Sequence, residues 1–150
     1  MLANETLISH RPVIVRRVVQ WGECDPAGVV YTPRFCDYAV SAYQYFLGEI
    51  FGRPMHKRMH DQDLGLPMKA MSYEFHASLW PEESFDMAVS VLALRSRSFD
   101  LRVEAAHQRG HRVFTANLSP ICVHANARVS TAIPDFLREW LLTYQAETVA

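Results

Sequence analysis

The sequence predicts an α+β domain in which an antiparallel sheet curls around one long helix, with a short second helix near the C-terminus. Three observations predict it. A single segment, Arg34 to Phe51, has helical periodicity and an apolar face wide enough to be surrounded by protein. Residues 66 to 124 read almost entirely as strands separated by turn signals. Helix and strands are therefore segregated along the chain, which excludes the repeating βαβ order of doubly wound nucleotide-binding folds. No glycine-rich phosphate loop of either common type is present.

Each element has its own signal. Pro12 to Gln20, with Val13, Val15 and Val18, reads as the first of five strands. Trp21 to Pro33 is a turn-rich connection containing Gly22, Pro26 and Gly28. In the long helix, Asp37, Ser41, Gln44 and Gly48 recur on one stripe, and Phe35, Tyr38, Ala39, Ala42, Tyr45, Phe46 and Ile50 fill the remainder. Thr32 is placed to cap this helix, and Pro33 suits its first turn, where a missing N–H costs nothing. Phe51 to Gly65 reads as a polar connection. Four strands follow, at Leu66–Leu79, Ser84–Arg97, Ser98–His107 and Arg112–His124, with breaks at Trp80–Glu83, near Arg97–Ser98 and at Gln108–His111 that suit antiparallel hairpins. Pro120 is expected to bend or bulge the last strand. Pro134 to Tyr144 forms the short helix, with Phe136, Leu137, Trp140, Leu141 and Tyr144 on its apolar side.

Composition bounds the function. The 150 residues are 49% hydrophobic and 21% charged, which fits one globular domain spanning 1–150, its core at about 12–125. Lys+Arg of 15 against Asp+Glu of 16 excludes a dominant positive field, so no nucleic-acid partner is expected. Lys57 and Lys69 are the only lysines, leaving arginine, whose fixed fork suits oxyanions, as the main cation. Cys24, Cys36 and Cys122 lack a Cys-x-x-Cys spacing, so neither disulfides nor structural zinc are expected and a cytoplasmic location is the simplest assignment. The N-terminus does not resemble a signal peptide, and no apolar run approaches a membrane span.

The chemistry concentrates in Trp21-Gly22-Glu23-Cys24-Asp25-Pro26-Ala27-Gly28-Val29-Val30-Tyr31-Thr32-Pro33. Pro26 and Gly28 set a tight backbone path that holds Asp25 near the start of the long helix, whose free N–H groups carry partial positive charge. A carboxylate beside oriented N–H donors is the equipment of acyl transfer: the donors polarise a carbonyl while the acid attacks the carbon or activates water. Taken alone, Asp-Pro-x-Gly reads better as a plain turn, because Asp, Pro and Gly are the commonest turn formers. The whole segment resembles the signature of the 4-hydroxybenzoyl-CoA thioesterase family, whose members have the hotdog fold. The order of strand, central helix and four strands agrees with that family over residues 12 to about 125.

The resemblance implies an acyl-CoA or aroyl-CoA thioesterase that releases a free acid and CoA without metal or other cofactor. Asp25 would be the catalytic carboxylate, as nucleophile or general base. Backbone N–H groups near Tyr31 and Thr32 would polarise the thioester carbonyl, with Gly28 shaping the loop. The family also implies a homodimer joined edge to edge, or a tetramer of such dimers, with the acyl group entering between subunits and CoA phosphates on basic residues. Arg95, Arg97 and Ser98, at a break between strands, are candidates for that contact. Thr32 departs from members with His after the Tyr, a pattern of the Tol-Pal-associated branch, and fits aryl or general acyl-CoA enzymes better. A hotdog dehydratase would need a His-containing active-site helix that is missing, and a non-enzymatic acyl-CoA-binding or scaffold subunit would not need Asp25.

Other signals carry less. His56-x-x-x-His60 with Asp61 and Asp63 has a spacing that suits two metal ligands but reads as a solvated loop. Cys24 lacks a partner His in the motif, Glu23 could assist Asp25 or only repel its charge and is left out of the catalytic set, and His76 and Glu74 fit surface or core roles on a strand.

Overall fold

In the computed structural model, which describes residues 4–148, the sheet has six strands and wraps one long helix. The ends of the 1–150 domain lie outside the described residues. The elements are β1 (Glu5–His10), β2 (Val13–Val18), α1 (Arg34–Phe51), α2 (Met55–Asp61), β3 (Met68–Phe75), β4 (Ser84–Leu94), β5 (Phe99–His107), β6 (Arg112–Pro120) and α3 (Asp135–Thr148). Their order across the sheet is β1-β2-β4-β5-β6-β3, and every pairing is antiparallel.

Several features differ from the sequence expectation. The sixth strand is β1, whose residues alternate between half-buried and exposed with Ile8 turned outward, so its apolar pattern carries no core signal. Backbone pairing with β2 holds it. The Trp80–Glu83 break is a crossover, not a hairpin: β3 pairs with β6 and β4 with β2. Pro81 turns the chain but cannot choose its partner. The His56–His60 segment is helical, forming α2, which packs Met59 into the core.

The long helix has the bounds expected of it. Its N-cap is Pro33, not Thr32, and no side chain caps it. Tyr38, Ala39, Ala42 and Phe46 are essentially solvent-free against strand residues such as Val13, Val15, Phe85 and Met87. Each fully buried side chain of the larger kind contributes about 2 kcal/mol. Tyr43, rather than Tyr45, takes the buried position and donates to Leu66 O at 2.9 Å. At the far end of α1, Phe46 meets Trp140 and Tyr144 of α3 edge-on, at 5.4 and 5.2 Å between ring centroids. The Tyr144 hydroxyl donates to Val89 O (2.6 Å) and accepts from Val13 N (2.8 Å), which pins α3 across β2 and β4.

A buried ion network fastens the loop after β2. Arg17 bridges Glu5 and Glu23, and its guanidinium lies 4.6 Å over the Tyr38 ring. Glu23 in turn accepts Gln20 N at 2.8 Å. Burial and the Glu23 carboxylate push the Tyr38 phenol well above its ordinary range, so it stays neutral. Arg17→Met strands two nearly buried carboxylates, and the expected loss is about 2 kcal/mol in chemical denaturation.

Candidate active site

Asp25 lies on a loop whose every bend has a hydrogen bond. Its N–H donates to Val29 O and its carbonyl accepts Gly28 N, both at 2.9 Å. Its Oδ1 accepts Ala27 N at 2.9 Å, a side-chain turn that fixes the carboxylate and leaves Oδ2 without a protein donor among the described residues. The turn-forming role of Asp25 is therefore real, and it orients the acid. Gly28 has φ +91°, and a Cβ there would stand 3.1 Å from the Trp80 ring. Gly28→Val is expected to fail on both counts, lowering the melting temperature and displacing Asp25, which thermal denaturation and turnover measure together.

The helix start is next to this acid. Tyr31 N is spent on Glu23 O at 2.9 Å, and Val30 N on Leu79 O at 2.9 Å. Arg34 N closes a turn on Tyr31 O (2.8 Å) and Phe35 N one on Thr32 O (3.1 Å). Pro33 has no N–H. The Thr32 N–H is thus left without a protein acceptor among the described residues. Asp25 and Thr32 line one open cavity of about 340 Å³, together with Val29, Val30, Phe35, Phe75, His76, Ala77 and Ser78. His76 Nε2 stands 3.1 Å from Thr115 Oγ1.

The other candidates lie elsewhere. Val18, which leads into the Asp25 loop, pairs with Ser84 at the start of β4, whereas Arg95 to Ser98 follow its other end. Ten residues of strand, about 33 Å, separate these points. Arg95 forms a fork with Asp100 (2.8 and 2.6 Å), which holds that carboxyl below its ordinary range. Arg97 donates to Ser130 Oγ at 2.7 Å and Ser98 is buried. Within one chain the fold therefore unites Asp25, Thr32 and Gly28, but not these three. Glu23 turns into the Arg17 network, away from the Asp25 carboxylate's turn. Cys24 is half-buried, its thiol pushed up by burial and the flanking Glu23 and Asp25 charges. Phe75, Ala77 and Ser78 were not singled out by sequence, because only the crossover of 76–83 brings them to the loop.

A model of the thioesterase-like superfamily matches residues 19–141. The chain belongs to this family. The match agrees with the resemblance read from Asp25 to Tyr31. This thioesterase-like chain is 22% identical over 131 residues to the 1,4-dihydroxy-2-naphthoyl-CoA hydrolase of Gloeothece citriformis, covering 86% of its own length and 91% of that protein. The corresponding hydrolase of Thermosynechococcus vestitus is 25% identical, with 84% and 86% covered. Among solved structures, a Staphylococcus aureus protein in complex with CoA superposes with a TM-score of 0.85 at 11% identity, covering 100% of this chain and 90% of that one. That likeness establishes the hotdog fold. Among the described residues no helix is long and apolar enough to cross a membrane, and no three His, Cys, Asp or Glu side chains converge as a metal site would require.

Proposed function

We propose that this thioesterase-like chain hydrolyses an acyl-CoA or aroyl-CoA thioester to the free acid and CoA, with Asp25 as its catalytic carboxylate. The observation that carries the proposal is the pairing of a fixed carboxylate with an unspent N–H on one cavity: Asp25 Oδ2 and Thr32 N. The carbonyl oxygen of the thioester accepts from Thr32 N–H at the positive end of α1, which stabilises the negative charge that develops there. Asp25 then either attacks the carbonyl carbon, expelling the CoA thiolate and leaving a mixed anhydride for water to cleave, or removes a proton from the attacking water. Tyr31 contributes by its bond to Glu23 O, which holds Thr32 in place, and Gly28 by the path it gives the loop.

The working unit is a homodimer formed along β3. This strand is an unpaired edge with Met71 and Phe75 exposed, a surface that invites a further strand. Only a second copy brings Arg95 and Arg97 toward an Asp25 cavity, where they meet CoA phosphates. The names of the curated relatives favour a hydroxylated aroyl group as substrate. Thiol release from acetyl-, medium-chain, long-chain, phenylacetyl-, benzoyl-, 4-hydroxybenzoyl- and 1,4-dihydroxy-2-naphthoyl-CoA tests the reading. Hydrolysis concentrated in the aroyl members is expected. CoA binding without hydrolysis of any member supports a scaffold subunit instead.

A further inference from the structure

The Asp25 loop is gripped from outside by the crossover that joins β3 to β4. At the loop's entry Val19 N donates to Glu83 O and Val19 O accepts Glu82 N, both at 2.9 Å. At its exit Val30 N donates to Leu79 O, also at 2.9 Å. Between these ties the Trp80 indole lies over the tip, on the side of Gly28 where a side chain would project. Gly28 N in turn donates to Asp25 O. Residues 79–83 therefore meet the loop at both ends and at the turn that carries the acid.

Trp80 does not fill the core: it is 55% exposed, and the place of its ring is set by the turn beneath it. Trp80 N donates to Glu83 Oε1 at 2.7 Å, and Trp80 O accepts Glu83 N at 3.2 Å. Within that turn Glu82 has φ +71°, left-handed backbone that a residue with a Cβ adopts only where its surroundings impose it. The two Val19 bonds impose it here. The other Glu83 oxygen, Oε2, meets His107 Nε2 at 2.5 Å. His107 is buried at the end of β5, and its Nδ1 accepts Arg109 N at 3.0 Å, which places the ring proton on Nε2, facing Glu83. The His111 ring stacks on it, with 4.5 Å between centroids. Partial burial pushes the Glu83 carboxyl up, but the Trp80 N–H, the His107 ring and the Arg109 charge together hold it below its ordinary range, so it is a carboxylate at neutral pH. Its two oxygens thus tie the Trp80 turn to the end of β5.

We propose that Trp80 is a positioning residue of the reaction: its indole, held by the Glu83–His107 pair, keeps Gly28 seated so that the Asp25 carboxylate stays aimed at the thioester carbonyl. The proposal rests on the thioesterase reading and names what holds its acid. The bond from Ala27 N orients Asp25 within its own turn, but it does not fix that turn against the rest of the cavity. The indole does so by contact, through Cζ3 and Cε3 of its six-membered ring. Misplacing a reacting group by about 1 Å costs on the order of 10²-fold in rate, because the geometry of attack is lost.

Trp80→Ala removes the contact from an exposed position and leaves the backbone bond to Glu83 intact. The melting temperature is expected to stay nearly unchanged. On the thioester that the wild type hydrolyses fastest, kcat is expected to fall about 10–10²-fold with KM within about twofold. Trp80→Phe, which keeps a ring on Gly28, retains most of the rate. Glu83→Ala loosens the same turn, lowers kcat, and adds nothing further when combined with Trp80→Ala. Asp25→Asn combined with Trp80→Ala is no slower than Asp25→Asn alone, because the group being positioned is already disabled. Losses that multiply in that double variant overturn the proposal, as does wild-type turnover in Trp80→Ala. A rise in KM with kcat intact also overturns it, since that marks a contact between Trp80 and substrate. A second measurement needs no turnover. The amide hydrogens of Ala27 and Gly28, bonded to Asp25 Oδ1 and O, are expected to exchange about tenfold faster in Trp80→Ala. Unchanged exchange overturns the positioning role. A wild-type protein that hydrolyses no thioester contradicts the thioesterase reading instead, and the exchange result still decides whether Trp80 holds the Asp25 turn.

Discussion

Asp25→Asn is expected to lower the turnover of 4-hydroxybenzoyl-CoA by about 10³-fold and to leave the oligomeric state and melting temperature unchanged. The substitution separates two roles of one side chain. The amide oxygen of Asn still accepts Ala27 N–H, so the turn that Asp25 Oδ1 closes survives. What disappears is the anionic oxygen that attacks the carbonyl or takes a proton from water, because an amide does neither near neutral pH. Steady-state thiol release measures the loss, and calorimetric melting checks the fold. Near-normal turnover in a folded variant means that Asp25 serves the turn alone.

Thr32→Pro is expected to lower kcat by about 10²–10³-fold and to leave stability nearly unchanged. The backbone N–H of residue 32 is the group at stake, and proline is the residue that deletes it. Position 32 follows Tyr31 in the turn closed by Arg34 N on Tyr31 O, and proline is favoured at the second position of such turns. It breaks no bond, since Thr32 N has no acceptor among the described residues and Thr32 O still accepts Phe35 N. The loss falls on kcat rather than KM because a donor aimed at a developing oxyanion acts mostly in the transition state. Thr32→Ser is expected to retain activity, since it keeps the backbone N–H and removes only the side chain's methyl. An equal rise in KM with kcat intact indicates ground-state binding instead.

Much of this was legible in the sequence because local chemistry decided it. The bounds of α1 follow from its apolar face and from Pro33 at its start. The Asp25 loop follows from Pro26 and Gly28, and the observed φ of +91° at Gly28 is the conformation its position required. What escaped depended on distant partners. β1 buries little beyond Leu7 and is ordered by hydrogen bonds to β2, which leave no periodic trace. The crossover at Trp80–Glu83 has the residues of a hairpin, and only the pairing of β3 with β6 distinguishes it. The same non-local choice brings Phe75, His76, Ala77 and Ser78 to the Asp25 cavity. Thr32 was singled out as a cap and as an oxyanion donor. Its side chain makes no cap, while its N–H has no acceptor among the described residues, the neighbouring Tyr31 N being the one that meets Glu23 O. Arg95, Arg97 and Ser98 were grouped with the site by their chemistry, and the length of β4 sets them at the other end of their own chain.

The most direct test is a crystal structure of the Asp25→Asn dimer with intact 4-hydroxybenzoyl-CoA. The account predicts the thioester carbonyl oxygen about 3 Å from Thr32 N and the carbonyl carbon beside residue 25. A thioester bound with its carbonyl remote from Thr32 and residue 25 contradicts it.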